Sequence, residues 1–205
     1  MTHLASDWLM LTPAGGLRAF GANPPDAPAQ ALQMLLTGER ALARESWMQL
    51  ANLNLSQVAD LQASGWIQTL ARPLQGPDAK LDDFLQHVIA ALSAQRSAVL
   101  ASQEGFCLGR AGVTQEHADV LSAAAADFSD YAKRQAKRGW MGASGYVAFH
   151  SDPEFLLPDH AFIPFWVDDT GYWLILQGEP LLNNPAWVEL LWGIKLAGTR
   201  FGHNG

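Results

Sequence analysis

The stretch of residues 97–138 constrains the fold more than any other part of this sequence. It opens with two short apolar runs, residues 97–101 and 106–110, separated by Gln103, Glu104 and Gly105. Because glycine adopts positive φ at little cost, Gly105 suits a tight turn between two strands. The pattern predicts a β-hairpin, and Gly112 ends its second strand.

A long amphipathic helix is predicted directly after the hairpin. Thr114 stands at a favourable N-cap position, and Glu116 complements the positive end of the helix dipole. Apolar residues then recur at spacings of three and four, as on the buried face of a helix. They are Ala118, Leu121, Ala125, Phe128 and Ala132. Gly139 is a suitable C-cap, so the helix has about six turns.

Residues 98–126 resemble the Roadblock/dynein light chain family. The matching positions run from the first strand into the helix. They are Ala98, Val99, Leu100, Gly105, Phe106, Leu108, Gly112, Glu116, Ala118, Asp119, Leu121, Ala125 and Ala126. The resemblance implies the order helix, two strands, helix, three strands, helix, which residues 79–205 can supply. After the long helix the match is one of element order alone, and it leaves residues 1–75 unexplained.

The resemblance also implies a function. Roadblock-like domains pair through their third strands and second helices, and they serve as scaffolds or regulate Ras-like small GTPases. A homodimer contact implied in this way uses seven residues. They are Ala118, Leu121, Ala125, Phe128, Tyr146, Ala148 and His150. An edge strand is a ready template for a partner strand, which makes such a contact physically reasonable.

Four cations crowd the end of the predicted helix. They are Lys133, Arg134, Lys137 and Arg138. One interpretation is that they complement the negative end of the helix dipole and stay solvated. The other is a docking patch for an acidic partner.

Composition narrows the class of protein. Of 205 residues, 49% are hydrophobic and only 16% are charged, with 8 Trp and 9 Phe, which suggests apolar surface for partners. The net charge of −7 argues against non-specific nucleic-acid binding. One cysteine fits a reducing compartment. No signal peptide and no apolar run of about 18 residues is found, so we expect a soluble cytoplasmic protein.

The chain is predicted to fold as two domains. Residues 72–78 contain two prolines and a glycine and mark the boundary between domains 1–75 and 79–205. For the second domain we expect an α+β fold, a Roadblock-like sandwich with a five-stranded antiparallel sheet between helices. Its further elements are a helix over 81–95, strands near 146–150, 162–167 and 172–177, and a last helix capped by Asn184. Pro164 within a strand predicts a bulge.

The first domain is predicted to be small, mostly helical and winged-helix-like. We expect a strand at 8–11, a turn at 12–16 with a return strand to Phe20, helices at 29–36, 43–51 and 55–64, and a strand at 66–70. DNA binding is disfavoured, because residues 55–64 contain no Lys or Arg and residues 1–75 carry one more acid than base. A packing or protein-interaction module is the simpler interpretation.

No catalytic, cofactor or metal site is predicted. His150, Asp152 and Glu154, with Asp159 and His160 nearby, lie in a proline-containing loop typical of solvated surface. Residues 142–145 are not predicted to form a nucleophile elbow, because no long helix follows them directly. Cys107 alternates within a strand, as a structural thiol does.

The sequence therefore predicts a non-enzymatic adaptor or scaffold. It dimerises through its Roadblock-like domain and binds a protein partner, with a Ras-like small GTPase implied by the resemblance. The alternative is a transcriptional regulator with winged-helix DNA binding and carboxy-terminal dimerisation or ligand sensing.

Overall fold

The computed structural model describes residues 7–78, 81–140, 146–150 and 158–201. These residues divide into two compact units. The first unit contains residues 7–78 together with the last helix from Trp187, and the second contains residues 81–186. The predicted boundary at residues 72–78 coincides with the end of the first segment, while the last helix groups with the first unit. None of the helices described in either unit is long and apolar enough to cross a membrane.

The first unit combines a small antiparallel sheet with short helices. Its elements are β1 (Trp8–Leu11), α1 (Pro13–Phe20), α2 (Ala27–Gln33), β2 (Leu42–Ala43), α3 (Arg44–Leu50), α4 (Leu55–Ala63) and β3 (Ile67–Leu70), with a 3-10 turn at Met34–Leu36. The sheet order is β2-β1-β3. The three helices and the strands around residues 8–11 and 67–70 are confirmed, and the winged-helix assignment stays a prediction.

The return strand predicted to end at Phe20 is wrong, because Pro13–Phe20 form helix α1. Thr12 caps this helix by accepting a hydrogen bond on its Oγ1 from the Gly15 N–H at 3.0 Å. Pro13 stands at the start of the helix, where its missing N–H costs nothing. A Cβ added at Gly15 would stand 1.9 Å from the Trp66 carbonyl oxygen, so this helix approaches β3 at backbone distance.

The last helix, α7 (Ala186–Phe201), packs on the amino-terminal segment of the first unit. Trp192 Nε1 donates a hydrogen bond to the Gly38 carbonyl at 2.8 Å. A Cβ added at Gly16 would stand 2.9 Å from Nε1 of Trp187. The predicted cap is confirmed, since Asn184 Oδ1 accepts from the Ala186 N–H at 2.9 Å. The first unit is thus assembled from two distant parts of the chain.

The second unit is built on a five-stranded antiparallel sheet. Its elements are α5 (Leu81–Ala90), β4 (Ala98–Ser102), β5 (Cys107–Ala111), α6 (Gln115–Ala136), β6 (Val147–Phe149), β7 (His160–Val167) and β8 (Thr170–Gln177). The sheet order is β5-β4-β8-β7-β6. With α7 added, the chain order is helix, two strands, helix, three strands, helix, as the resemblance implied. The first of these helices ends at Ala90, short of the predicted 95.

The β7–β8 pair corrects the expected bulge at Pro164. These strands pair without a register shift from His160 opposite Gln177 to Val167 opposite Thr170, and Pro164 stands opposite Trp173. Because proline has no N–H, it keeps the ladder intact only where that group would point away from the partner strand. A strand interior therefore accepts this proline without distortion.

Helices α5 and α6 both pack on the sheet, through different residues of its strands. Val99 and Ala101 of β4 belong to the apolar cluster under α6. Gly109 of β5 lies against Leu85 of α5, where an added Cβ would stand 3.0 Å from the leucine side chain. Small or β-branched residues of β4 and β5 therefore allow each helix to pack closely on the sheet.

Candidate interaction surface

The buried face of α6 consists mostly of small residues. Five positions on this face are Ala118, Leu121, Ser122, Ala125 and Ser129. The sheet residues opposite include Val99, Ala101, Phe162, Trp173 and Ile175. The Trp173 Nε1–H donates a 2.7 Å hydrogen bond to Ser129 Oγ, so the polar groups of this contact are satisfied.

Three of the helix residues expected in a dimer contact lie in this core. Ala118 and Ala125 have no exposed surface, and Leu121 is 8% exposed. Their regular spacing marks the side of α6 that packs on its own sheet, which is the simpler meaning of such a stripe. These three side chains are therefore occupied by contacts within the unit itself.

The flank of α6 beside this core carries apolar side chains that are partly or largely exposed. Val120 is 62% exposed and Tyr131 is 47% exposed. Ala124 and Phe128 lie between them and are half-buried. The spacing of four, four and three residues places all four on one face of the helix.

Phe128 joins this helix face to strand β6. Its ring lies 5.7 Å from the Phe149 ring in a stacked arrangement and 5.0 Å from the Phe162 ring edge to face. Phe149 is itself about half exposed. Val120, Ala124, Phe128, Tyr131 and Phe149 are called the apolar surface below.

Strand β6 is an edge of the described sheet and pairs with β7, with Val147 opposite Phe162 and Phe149 opposite His160. Val147 packs on the cluster under α6, and Phe149 contacts Phe128. Since side chains alternate along a strand, the predicted contact residues Tyr146, Ala148 and His150 fall out of phase with these two. Tyr146 is exposed, and partial burial still raises the pKa of its hydroxyl.

The predicted docking patch is exposed at the end of α6 and just beyond it. Lys133, Arg134, Lys137 and Arg138 are all solvent-accessible. Lys133 lies 3.6 Å from Asp130 in an exposed ion pair, a contact that contributes little to stability. Trp140 follows the patch and is largely exposed. The patch thus offers positive charge and an aromatic ring on one short segment.

The candidate DNA-reading helix engages its amides locally. Asn54 and Gln57 form a capping box at the start of α4, with both bonds at 2.9 Å. Gln62 Nε2 donates to Thr69 Oγ1 at 3.2 Å. A cavity of about 510 Å³ beside this helix is lined by Met34, Leu61 and Trp66 among others. These observations add nothing in favour of base recognition.

The other residues considered for catalysis or metal binding offer little chemistry. Burial raises the pKa of the Cys107 thiol, which favours its protonated form over the nucleophilic thiolate. No group of three or more His, Cys, Asp or Glu in the described parts of the chain is arranged to hold a metal ion. Residues 142–145 and the loop residues Asp152 and Glu154 lie outside the described residues.

A polar cavity lies where strands β6 and β8 end and strand β7 begins. Its volume is about 490 Å³, and it is lined by Gln95, Phe149, His150, Asp159, His160 and Gln177. Burial lowers the pKa of His160, the neighbouring His117 lowers it further, and Asp159 opposes both. His160 therefore favours its neutral form. The sequence pattern had already grouped His150, Asp159 and His160, whereas Gln95 and Gln177 come from elsewhere in the chain and were not predicted to lie beside them.

Comparison with known proteins adds one distant structural similarity to these observations. No protein-family model matches the sequence, and no curated protein matches it. Among solved structures, the chain is similar to a crystal structure of a Roadblock/LC7 domain from Streptomyces avermitilis, at 16% identity and a TM-score of 0.36. That match covers 60% of this chain and 96% of the other.

Proposed function

We propose that this protein is a non-enzymatic adaptor that forms a homodimer through the apolar surface and strand β6, and that binds a further protein partner. The contact between Phe128 and Phe149 is the observation that carries this proposal. It makes the exposed face of α6 continuous with an edge of the sheet.

Both parts of this surface suit association with a second copy. An edge strand presents unpaired N–H and C=O groups that another strand can bind. Exposed aromatic side chains gain the most from burial at an interface. In a twofold dimer the same patch serves both subunits, so β6 would meet β6 while α6 lies beside α6. The Roadblock resemblance implies the same mode of pairing.

The partner class follows from the resemblance and from charge. The Roadblock resemblance implies a Ras-like small GTPase as the partner. The docking patch adds four cations that suit an acidic surface. Electrostatic complementarity of this kind mainly accelerates association and weakens with salt. The proposed partner therefore carries an acidic face.

Val120→Glu tests the dimer. The side chain is largely exposed, so the fold should survive, but in a twofold contact the change places two charges in the interface. We expect the dimer dissociation constant to rise about 100-fold or more, since an unpaired charge is costly to bury. Light scattering coupled to size-exclusion chromatography over a range of concentrations measures it.

Leu55→Glu is the matched control, because Leu55 in α4 is equally exposed but lies in the first unit. It should leave the dimer unchanged. A wild-type chain that is monomeric at high concentration, or a Val120→Glu dimer as tight as wild type, would remove the proposed interface.

Partner binding is tested with the tagged chain and lysate of its own source, loaded with GTP or GDP analogues. Retention of a small GTPase in one nucleotide state supports the adaptor proposal, and reversing the charge of Lys133 and Arg134 should then weaken it. Salt-sensitive retention of DNA would instead favour the transcriptional-regulator alternative.

A further inference from the structure

The cavity beside α4 belongs to the first unit and has no part in the proposed dimer contact. Its volume of about 510 Å³ lies in the range of sites that hold small organic ligands. Helix α2 with its 3-10 turn, the turn between α3 and α4, and helix α4 itself form its walls. Most of its lining is apolar and includes Ala31, Met34, Leu53, Leu61 and Trp66. The cavity therefore suits a ligand with an apolar body.

One charged residue, Asp60, stands among the described residues that line this cavity. It lies in the last turn of α4 and is exposed. None of the ion pairs between described residues involves it. The Ser64 hydroxyl donates to the Asp60 backbone carbonyl at 2.9 Å and leaves the carboxylate available. An unpaired carboxylate beside an apolar cavity favours a ligand that carries a positive charge.

Two helix ends add negative potential at the same cavity. Helix α3 ends at Leu50, and residues 51–53, which follow it directly, line the cavity. Helix α4 ends at Ala63, and Ser64 just beyond it also belongs to the lining. The carboxyl end of a helix carries a partial negative charge, so both ends favour a cation over an anion.

Two sources of positive charge beside the cavity are already engaged. The first turn of α2 also lines it, but Asp26 Oδ1 caps that turn by accepting from the Ala29 N–H at 3.0 Å. Arg18 Cζ lies 5.2 Å from the centroid of the Trp66 ring, and its guanidinium pairs with Asp26 at 2.5 Å. The hydrogen bond from Arg18 lowers the pKa of Asp26, which keeps both partners charged. An anionic ligand therefore gains no unpaired cation from these groups.

We infer that this cavity binds a small aromatic amine. The ammonium group pairs with the Asp60 carboxylate, while the ring contacts Met34, Leu61 and Trp66. Tryptophan stacks favourably on other aromatic rings, and the flexible methionine side chain adapts to the shape of the ligand. The inference concerns the first unit alone and does not depend on the dimer or on the partner proposed above.

Isothermal titration of the full chain with tryptamine tests the inference. Tryptophol and indolepropionate carry the same ring on a neutral and an anionic chain, so the three probes differ mainly in charge. We expect one tryptamine per chain, bound at least about fivefold more tightly than tryptophol, with indolepropionate weaker still. Asp60→Asn should remove this preference and leave tryptophol binding unchanged. Glu45→Gln is the matched control, because Glu45 is an exposed carboxylate of the first unit outside the cavity lining.

Methyl NMR of the methionine side chains locates the bound probe. The ring of tryptamine should shift the Met34 methyl signal, whereas Met10, which is buried in β1 and outside the lining, should keep its position. Three results would each overturn the inference. They are the absence of saturable tryptamine binding, a preference for tryptamine that survives Asp60→Asn, and binding that leaves Met34 unshifted. Tryptophol or indolepropionate binding as tightly as tryptamine would also overturn it, since the occupant would then be a neutral or an anionic molecule.

Discussion

Ala125→Glu is expected to unfold the second unit. Ala125 has no exposed surface and packs in the cluster with Phe162 and Trp173. A glutamate there would be buried without a partner or would push α6 away from the sheet. The expected loss of unfolding free energy is about 4 kcal/mol or more, from the burial of an unpaired charge together with overpacking.

Hydrogen exchange measured by mass spectrometry resolves this effect by unit. Peptides from β4, α6 and β8 should lose protection in Ala125→Glu. Ala123→Glu is the matched control, because Ala123 is exposed on the same helix and its replacement should change stability by about 0.5 kcal/mol or less. Native protection in Ala125→Glu would show that α6 does not pack on the sheet through this face.

Gly15→Ala is expected to destabilise the first unit by about 3 kcal/mol. In most helices this change is stabilising, because alanine is the better helix former. Here the new Cβ would stand 1.9 Å from the Trp66 carbonyl oxygen and 2.8 Å from its carbon, and backbone cannot move aside as a side chain can. The overpacking cost therefore exceeds the gain in propensity.

Gly198→Ala provides the opposite expectation in the same unit. Gly198 lies in α7 with no atom near the position of an added Cβ, so the change should stabilise by about 0.5–1 kcal/mol. Chemical denaturation of both variants measures the two free energies. Equal effects of the same sign would contradict the close approach of α1 to β3.

Local signals predicted the elements that have clear caps and periodicity. The hairpin at β4 and β5, helix α6 and the capped start of α7 follow from turn residues, N-caps and apolar spacing. Helix α1 was missed because two glycines weaken its propensity, although Thr12 and Pro13 are normal start residues. The missing information there was tertiary, since Gly15 permits the close approach to Trp66 and Gly16 the close approach to Trp187.

The candidate sites were harder to predict because they depend on which way a face points. An apolar stripe on α6 has the same spacing whether it meets its own sheet or another chain. On β6, an error of one residue in the predicted alternation assigns the neighbours of Val147 and Phe149 to the face that in fact carries these two residues. His160 and Gln177 are 17 residues apart in sequence, and the register of β7 and β8 places them opposite each other.

The placement of α7 in the first unit has a consequence for synthesis. Residues 7–78 leave the ribosome before Trp187, Leu191 and Trp192, which fill their contacts, are made. Until α7 has been made, the surface of the amino-terminal segment that α7 covers stays exposed to solvent or to chaperones. A proteolytic cut at residues 72–78 would likewise not release an independent amino-terminal domain, because its final helix would remain on the other fragment.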